Sequence, residues 1–563
     1  MNSLFKKITD QIKKLVPSLI QRERGNRSKK GSDDSQNFTS RSGKINSKYG
    51  HVNNNTAKTA ENSLPIEGKI NYQLNHKIQG LKSKRELKSP SATQNTVVPL
   101  KRKAIPKVRT IDLSIQEVKS RMDDIARNLL LVSWESAPEH LDADDQRAIE
   151  ERFLAAEALI DAGSVRDDGA LELVIGFDLG STSTKIVINF PYAEALGAFA
   201  VPAPTTLRAE DSGPHPYYWH TRLWKSTENH YSLLPSDKCS EISGMKVDFL
   251  NASVSIDGPT YTPVAADINI SAYVALMVRQ ALGWLSRELG PTLTKDGICV
   301  SSNIGFPAEP HSKKDELFRF QACFNIGLEL ALSKRKVDDA TILECFGSAP
   351  KGRGMVVPEF IGAVMGYFSS TRKRSGTYFL CDFGSLTCDC VFFGFTEDES
   401  GARVFRIYGA QVKNYGAEVA IRLLNQGVSI FSFQRAIGTL LSSTLSEAYG
   451  RIGQSSMVWG GRTPLFWIGG GKHLSEYKGG FKAAENLIEN AHFKTNFDHQ
   501  EIDLPERLSV REANGQSCDR LILAWGLSHP DLDLPEWVTS AQIPLAPSPR
   551  RAKQTSFVGP EQI

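Results

Sequence analysis

The chain has 563 residues, of which 40% are hydrophobic and 23% charged, so it is long enough for several domains around a large core. Its net charge of +4 hides an asymmetry, because residues 1–110 carry 24 Lys and Arg against 7 Asp and Glu, and the remainder is acidic. Eight cysteines without paired spacing exclude a disulfide-rich secreted scaffold. With no secretory leader and no long apolar run, the sequence predicts a cytoplasmic protein without membrane spans.

Residues 1–21 combine apolar and basic positions at helical spacing. The pattern predicts an amphipathic helix that lies at the periphery of an anionic membrane or docks on a partner protein. Pro17 would kink or end its last turn. The apolar positions are Leu4, Phe5, Ile8, Ile12, Leu15, Val16, Leu19 and Ile20, and the basic ones are Lys6, Lys7, Lys13 and Lys14.

Residues 22–110 are rich in Ser, Asn, Lys, Arg and Gln and poor in aromatic residues, which predicts a disordered basic linker. Its end, LKRKAIPKVR (100–109), would suit nucleic acid or anionic lipid, and a solvated linker explains it as well. Residues 111–165 show helical periodicity with acidic first turns, which predicts a pair of helices ahead of the main domain. The polar, Pro-rich residues 537–563 predict a disordered tail.

From residue 171 short apolar runs alternate with helical segments, which is typical of an α/β body. Its first stretch, LELVIGFDLGSTSTKIVINF (171–190), predicts two strands joined by a short tip. Gly180, Ser181 and Thr182 at this tip can present backbone N–H groups and hydroxyls to phosphate oxygens. Lys185 adds a cation, and Asp178 can hold a hydrated Mg²⁺. An ordinary polar turn is the simpler alternative.

A second stretch, TYFLCDFGSLTCDCVFFGF (377–395), repeats this order of strand, acid, glycine, hydroxyls and strand. Asp382 ends its first strand, and Gly384, Ser385 and Thr387 form the tip. Two such hairpins about 200 residues apart predict two similar subdomains with phosphate between them.

Two other interpretations of this stretch are disfavoured. Asp382-Phe383-Gly384 matches the metal-binding triplet of protein kinases, but no His-Arg-Asp catalytic loop precedes it. Cys388 and Cys390 are too close in sequence for the usual zinc spacing and lack a second Cys/His pair nearby. The cysteines are therefore expected to fill a buried strand.

The two hairpins resemble the phosphate loops of the superfamily that contains actin, sugar kinases and the seventy-kilodalton heat-shock chaperones. Three further stretches are similar to this superfamily and follow in the expected order. VPEFIGAVMGYF (357–368) is similar to the first connecting helix, with Glu359, Gly362, Ala363 and Gly366 at the matching positions. PLFWIGGGKHL (464–474) is similar to the adenosine loop, with Gly469, Gly470 and Gly471. DRLILAWGLSHP (519–530) is similar to the second connecting helix, with Ala524 and Gly526. The resemblance implies a duplicated actin-like, ribonuclease H-like α/β ATPase fold with a central nucleotide cleft, with lobe I at 171–376 and lobe II at 377–536.

Within the superfamily the heat-shock chaperones are most similar. Phe306-Pro307-Ala308 resembles their strand-end turn, and Gly416 and Glu418 resemble their Gly-Gly-Glu turn after the second hairpin. The segment YYWHTRLWKS (217–226) is similar to their loop with a catalytic lysine but has Thr221 at the matching place.

The resemblance implies a role for each matched residue in binding and hydrolysing MgATP. Asp178 and Asp382 would hold Mg²⁺ through water, and Glu359 and Asp389 would orient the attacking water or accept its proton. The resemblance also implies phosphate contacts or nucleotide-binding backbone positions for a further set of residues, with Lys185 as a substitute cation. They are Gly180, Ser181, Thr182, Gly384, Ser385, Thr387, Gly416, Glu418, Gly469, Gly470 and Gly471.

The chain departs from the chaperones at several points. Leu386 stands where they carry glycine and would keep backbone away from phosphate, which predicts slow hydrolysis. The segment between Glu418 and Gly469 is short, and Arg435 is the candidate for a purine contact there. Nothing after about residue 536 could form a peptide-binding domain.

Three functions remain open from the sequence. The leading hypothesis is a heat-shock-chaperone-like ATPase that switches conformation for a partner protein bound through the N-terminal arm or helices. The alternatives are an actin-like filament or membrane-recruited scaffold, and a small-molecule kinase of the sugar-kinase type.

Overall fold

The computed structural model describes much of the chain from residue 111 onward. The described ranges are 111–131, 143–169, 171–209, 215–236, 238–252, 254, 261–290, 293, 297–348, 352–370, 372–453, 462–489, 496–513 and 517–546. The predicted amphipathic helix at 1–21, the linker at 22–110 and the tail beyond 546 lie outside these residues. No helix among the described residues is long and apolar enough to cross a membrane.

Two helices, α1 (Ile115–Leu131) and α2 (Ala143–Asp161), precede the first sheet. The start of α1 is capped reciprocally, because the Ser114 backbone N–H donates to Glu117 and the Glu117 N–H donates to the Ser114 hydroxyl. The helices do not form the predicted pair. The apolar face of α1 packs in the core of the second sheet, and that of α2 packs in the core of the first. Each helix buries its amphipathic face against a different lobe.

Lobe I contains a mixed sheet with helices on its faces. Its elements are β1 (Leu171–Leu179), β2 (Ser183–Asn189), β3 (Ala198–Ala200), β4 (Trp219–His220), β5 (Arg222–Ser226), β6 (Tyr231–Ser232), β7 (Cys239–Ser243), α3 (Met245–Asn251), α4 (Ala265–Leu289), β8 (Ile298–Phe306), α5 (Ala308–His311), α6 (Lys314–Ala331), α7 (Asp339–Gly347), β9 (Gly354–Pro358) and α8 (Glu359–Phe368). Strands β3, β2 and β1 pair antiparallel, and β8 and β9 continue the sheet in parallel. A small sheet of order β6-β5-β7 stands apart, and it leads into α3.

Lobe II repeats this arrangement. Its elements are β10 (Gly376–Phe383), β11 (Cys388–Glu397), β12 (Arg403–Lys413), α9 (Ala417–Asn425), α10 (Ile430–Ile452), β13 (Arg462–Ile468), α11 (Ser475–Glu489), β14 (Asn496–Gln500) and β16 (Glu536–Val538). Between β14 and β16 the chain also forms β15 (Leu508–Ser509) and α12 (Ile522–Leu527). Strands β12, β11 and β10 pair antiparallel, and β13 and β14 continue in parallel. The same five-strand pattern in both sheets confirms the predicted duplicated α/β fold of actin-like type.

The two predicted connecting helices, α8 and α12, cross at a pair of glycines. A Cβ at Gly526 would overlap the carbonyl oxygen of Gly362, so only glycine fits at this crossing. The chain around α12 also approaches β1, where a Cβ at Gly176 would overlap the carbonyl oxygen of Ala524. Gly366, also proposed as a close-packing position, has its nearest neighbour at 3.7 Å and is not tight. The crossing joins the two lobes at the base of the cleft.

The C-terminal part differs from the predicted domain boundaries. Strand β15 pairs with β3 and thus extends the sheet of lobe I, although it follows lobe II in sequence. Residues 537–546, predicted as a disordered tail, instead contribute to β16 beside β12 and to a short 3₁₀ helix, Ser540–Gln542. Pro-rich composition did not prevent these residues from pairing at a sheet edge.

Candidate functional site

The two hairpins face each other across a cleft between the lobes. In β1–β2, Asp178 lies opposite Lys185 in the strand register. At the matching place in β10–β11, Asp382 lies opposite Asp389. The lining comprises Asp178, Gly180, Ser181, Thr182, Ser183, Lys185, Lys246, Glu359, Ala363, Asp382, Gly384, Ser385, Thr387, Asp389, Ile468, Gly469, Gly470, Asp519, Arg520, Ile522 and Leu523.

Most residues proposed from the sequence therefore come together in one place. Four do not line the cleft: Gly416, Glu418, Gly471 and Arg435. Gly416 lies against the backbone of Ser385 with no space for a Cβ, and the Glu418 side chain pairs with Arg422 on the surface. Gly416 and Glu418 support the second hairpin tip, because both contact Ser385 and the backbone N–H of Glu418 donates to the Ser385 carbonyl.

A buried lysine that sequence reasoning missed occupies the centre of the cleft. Lys246 lies at the start of α3, and its Nζ donates to Glu359 Oε1 at 2.5 Å. Burial alone would lower the pKa of Lys246, but attraction by Glu359 and Asp389 outweighs it and raises the pKa, so the ammonium stays charged. Little in the sequence indicated that Lys246 belongs to the site. The lysine lies in a short helix, and Gly244 before this helix has a left-handed φ of 65°.

Thr221, which stands where the resemblance places a catalytic lysine, has a structural role. Its hydroxyl donates to the Gly180 carbonyl at 2.8 Å and lies 2.9 Å from the hydroxyl of Thr184. Tyr273 donates to the same Thr184 hydroxyl. This buried hydrogen-bond network holds the first hairpin tip in place. Lys246 on α3 supplies the cation that Thr221 cannot.

Lys185 pairs with Asp178, with Nζ and Oδ2 3.2 Å apart, and it donates to the Ser183 carbonyl. The second hairpin has no basic residue at the equivalent position, because Asp389 stands there. Lys185 therefore neutralises one side of the cleft only.

Three carboxyl groups crowd the lobe II side. Burial and the charges of Glu359 and Asp178 raise the pKa of Asp382 to about 7. Burial raises the pKa of Glu359, and burial with the charge of Glu359 raises that of Asp389. Asp389 Oδ1 is buried and has no hydrogen-bond partner within the protein, which is costly for an acceptor.

This set of carboxylates fits a hydrated Mg²⁺ better than a directly coordinated ion. Among the described residues, no group of three or more His, Cys, Asp or Glu side chains could hold a metal ion by itself. Asp178 and Asp382 instead face the cleft from the two hairpins, and Mg²⁺ commonly keeps several waters. The unpartnered Asp389 oxygen and the raised pKa of Asp382 are the observations that favour a cation there.

Leu386, expected to keep backbone away from phosphate, does not point into the cleft. Its side chain is buried in the core of lobe II, while its neighbours Ser385 and Thr387 line the cleft. The sequence-based argument for an obstructed tip was therefore wrong, because a leucine in this turn can pack inward. The three nearby cysteines are free thiols buried in the same core, as expected: Cys381, Cys388 and Cys390.

The predicted adenosine loop closes one end of the cleft. Gly469 has a left-handed φ of 83°, and a Cβ there would overlap the Asp382 carboxylate. Beside it, Arg520 stacks over Tyr218 with 4.6 Å between guanidinium carbon and ring centroid, and donates to Ser183 Oγ at 2.7 Å. Arg520 thus reaches from the 3₁₀ turn just before α12 to the first hairpin.

Arg435, proposed as a purine contact, does not line the cleft. Its guanidinium donates to the carbonyl oxygen of Leu113 at 2.9 Å and so holds the segment before α1 on lobe II. An arginine on an amphipathic helix could not be assigned to one neighbour from sequence alone.

The charge balance of the cleft determines which ligand it can accept. The lining has five acidic side chains and three basic ones, Lys185, Lys246 and Arg520. Asp519 is partly neutralised by Lys472, and hydrogen bonding to that lysine lowers its pKa. A divalent cation bound with a polyphosphate would lower the ligand's negative charge and weaken its repulsion by the carboxylates of the lining.

Comparisons with known proteins add little beyond the fold. No family model matches the chain, and no curated protein matches its sequence. A solved structure described as apo psk41 parM protein is similar over 64% of this chain and 96% of that chain, with 13% identity and a TM-score of 0.30. Because a similarity at this level carries no functional argument, the fold assignment rests on the duplicated sheet topology.

Proposed function

We propose that the protein binds ATP with Mg²⁺ in the cleft between its lobes and hydrolyses it. The observation that carries this proposal is the meeting of two hydroxyl-rich hairpin tips, one from each lobe, around the buried Lys246–Glu359 pair. The net negative lining and the unpartnered Asp389 oxygen support a nucleotide that arrives with its metal.

Each lining residue has a role in this proposal. The tips at Gly180–Thr182 and Gly384–Thr387 bind phosphate oxygens, and Asp178 and Asp382 hold the hydrated cation. Bound Mg²⁺ would neutralise charge on the phosphates. Glu359 and Asp389 orient the attacking water and accept its proton, and their raised pKa values suit them to that step. Lys246 offsets negative charge as the phosphoryl group leaves.

Opening and closing of the lobes would make the protein a nucleotide-dependent switch. The hairpins belong to different sheets, so a ligand that contacts both favours a closed arrangement. The partner protein proposed from the sequence would read this change through the N-terminal arm or helices. A role specific to heat-shock chaperones has no structural observation of its own, since the comparisons do not single out that branch.

Isothermal titration with MgATP, MgGTP and ATP in EDTA tests the binding step directly. We expect binding that requires Mg²⁺, and loss of about tenfold or more in affinity for Asp382→Ala, because one carboxylate of the cation site is removed. Glu399→Ala, which removes an exposed acid on the same lobe, is the matched control. The proposal is wrong if the wild-type protein binds neither MgATP nor MgGTP.

An actin-like scaffold that self-associates is the second candidate. Large apolar side chains are exposed around the start of α10 and the residues before α1: Ile111, Ile115, Ile430 and Phe431. Phe431 is 72% exposed, and the backbone of Ile111 is hydrogen-bonded to Ser429 nearby. Sedimentation with MgATP and with MgADP tests this candidate, and it predicts nucleotide-dependent pelleting that Phe431→Ser abolishes.

A further inference from the structure

Helix α3, which carries Lys246, is short and packs on lobe I. Met245 and Phe249 belong to the hydrophobic core of that lobe. The Phe249 ring lies edge-on against Phe306 of β8 and Phe320 of α6, with ring centroids 6.0 Å and 5.2 Å away. Because a helix of seven residues has few hydrogen bonds of its own, contacts from neighbouring elements determine where Lys246 lies.

A buried arginine on α6 holds the C-terminal end of α3. Arg319 Nη1 donates to the carbonyl oxygens of Phe249 at 3.3 Å and Ala252 at 3.1 Å. The last carbonyl groups of a helix lack partners in the next turn, and a cation there is also favoured by the helix dipole. The same guanidinium lies over the Phe249 ring, with 3.9 Å between its central carbon and the ring centroid. One side chain thus contacts both the backbone and a side chain of α3.

Arg319 is oriented in turn by Asp267 at the start of α4. Arg319 Nε donates to Asp267 Oδ1 at 2.7 Å, and the two side chains are only 3% and 0% exposed. The other carboxylate oxygen, Oδ2, accepts from the backbone N–H of Val264 just before the helix. Since an unpaired buried charge is costly, the pair keeps the guanidinium in one place. The end of α3 is therefore connected to the first turn of a 25-residue helix.

From these contacts we propose that Arg319 is a positioning residue for Lys246, which it holds beside Glu359 by fixing α3 on lobe I. The inference rests on the proposed ATPase function. Arg319 does not line the nucleotide cleft, so it acts through α3 and not by contact with the ligand. The cation of Lys246 is then in place before the nucleotide arrives, and little reorganisation is needed during phosphoryl transfer.

The test uses the full chain with Arg319→Lys, which keeps a positive charge beside Asp267 but lacks the planar group that also reaches both carbonyls. We expect amine-reactive labelling of Lys246, read by peptide mass spectrometry, to rise. The kcat for ATP should fall about tenfold or more while the KM stays within about twofold, because misplacement of a catalytic group acts on the chemical step. Phe249→Leu, which removes the ring beneath the guanidinium, is a second variant and should change labelling and the kcat in the same direction.

Arg279→Lys is the matched control, because Arg279 is another buried arginine of lobe I that donates to backbone carbonyls. Its Nη2 donates to the carbonyl oxygens of Leu330, Ser333 and Arg335, at and just after the C-terminal end of α6. This substitution should lower the melting temperature and leave Lys246 labelling and the kcat unchanged.

The inference is overturned if Arg319→Lys and Phe249→Leu lower the melting temperature as Arg279→Lys does without changing labelling or the kcat. If the wild type neither binds nor hydrolyses MgATP, the proposed function fails. Labelling of Lys246 in Arg319→Lys compared with Arg279→Lys then still decides whether Arg319 positions this lysine.

Discussion

At the scale of single residues, Leu386 shows that the effect of a turn residue on a site depends on where its side chain packs. From the sequence, the leucine was expected to keep the backbone of the tip away from phosphate. In the structure its side chain fills the lobe II core, and the backbone on either side still faces the cleft.

We expect Leu386→Gly to destabilise the protein by about 2–5 kcal/mol, because a buried leucine side chain is deleted and a cavity is left. It should not accelerate ATP hydrolysis. Chemical denaturation and steady-state turnover measure the two effects. Faster turnover with unchanged stability would restore the obstruction hypothesis.

Asp382 makes stability depend on pH when Mg²⁺ is absent. Its pKa is raised to about 7 in the folded protein by burial and the charges of Glu359 and Asp178, against about 3.9 in an unfolded chain. Between these values the folded state holds the proton more tightly, so stability falls as pH rises from about 4 to about 7. Asp382→Asn should therefore raise the melting temperature in EDTA more at pH 8 than at pH 5. Equal shifts at both pH values in a thermal melt would contradict this account.

Individual site residues could be predicted from sequence where a strand ends in an acid before a glycine-containing tip. Asp178 and Asp382 follow that pattern, and the structure brings them together. Lys246 could not be found in this way, because its position depends on α3 folding back over the cleft. Arg520 was missed because its contact with Ser183 depends on how the 3₁₀ turn before α12 approaches the first hairpin.

At the scale of elements, the close crossing of α8 and α12 depends on glycine. The resemblance to the superfamily's connecting helices indicated the small residues involved. It could not separate Gly526, where a Cβ would overlap backbone, from Gly366, where a Cβ would make ordinary van der Waals contacts at 3.7 Å. The sequence also could not predict that α1 and α2 pack on different lobes, since the apolar face of a helix does not show which sheet it packs against.

Gly526→Ala should destabilise the protein by about 1–3 kcal/mol or prevent folding, because its Cβ would overlap the Gly362 carbonyl. Gly366→Ala is the matched variant on the facing helix. It should be neutral or stabilise by up to about 1 kcal/mol, since alanine favours helix and the nearest atom is 3.7 Å away. Melting temperatures of the two purified variants make the comparison, and equal losses would argue against the crossing.

At the scale of the whole molecule, the proposed ligand would contact both lobes at once. We expect MgATP to slow amide hydrogen exchange at both hairpin tips, 180–184 and 384–387, although they belong to separate sheets. Asp382→Ala should abolish protection at both tips. Protection restricted to one tip would mean that the ligand binds a single lobe.

The route of the chain through the lobes constrains how the protein folds during synthesis. Strand β15 and helix α12 are among the last described elements, yet they complete the sheet of lobe I and cover Gly176 on β1. A nascent chain that has emerged only through lobe II therefore still exposes a face of lobe I. Lobe I cannot reach its final form before α12 has left the ribosome, and premature termination before residue 522 would remove the helix that crosses α8.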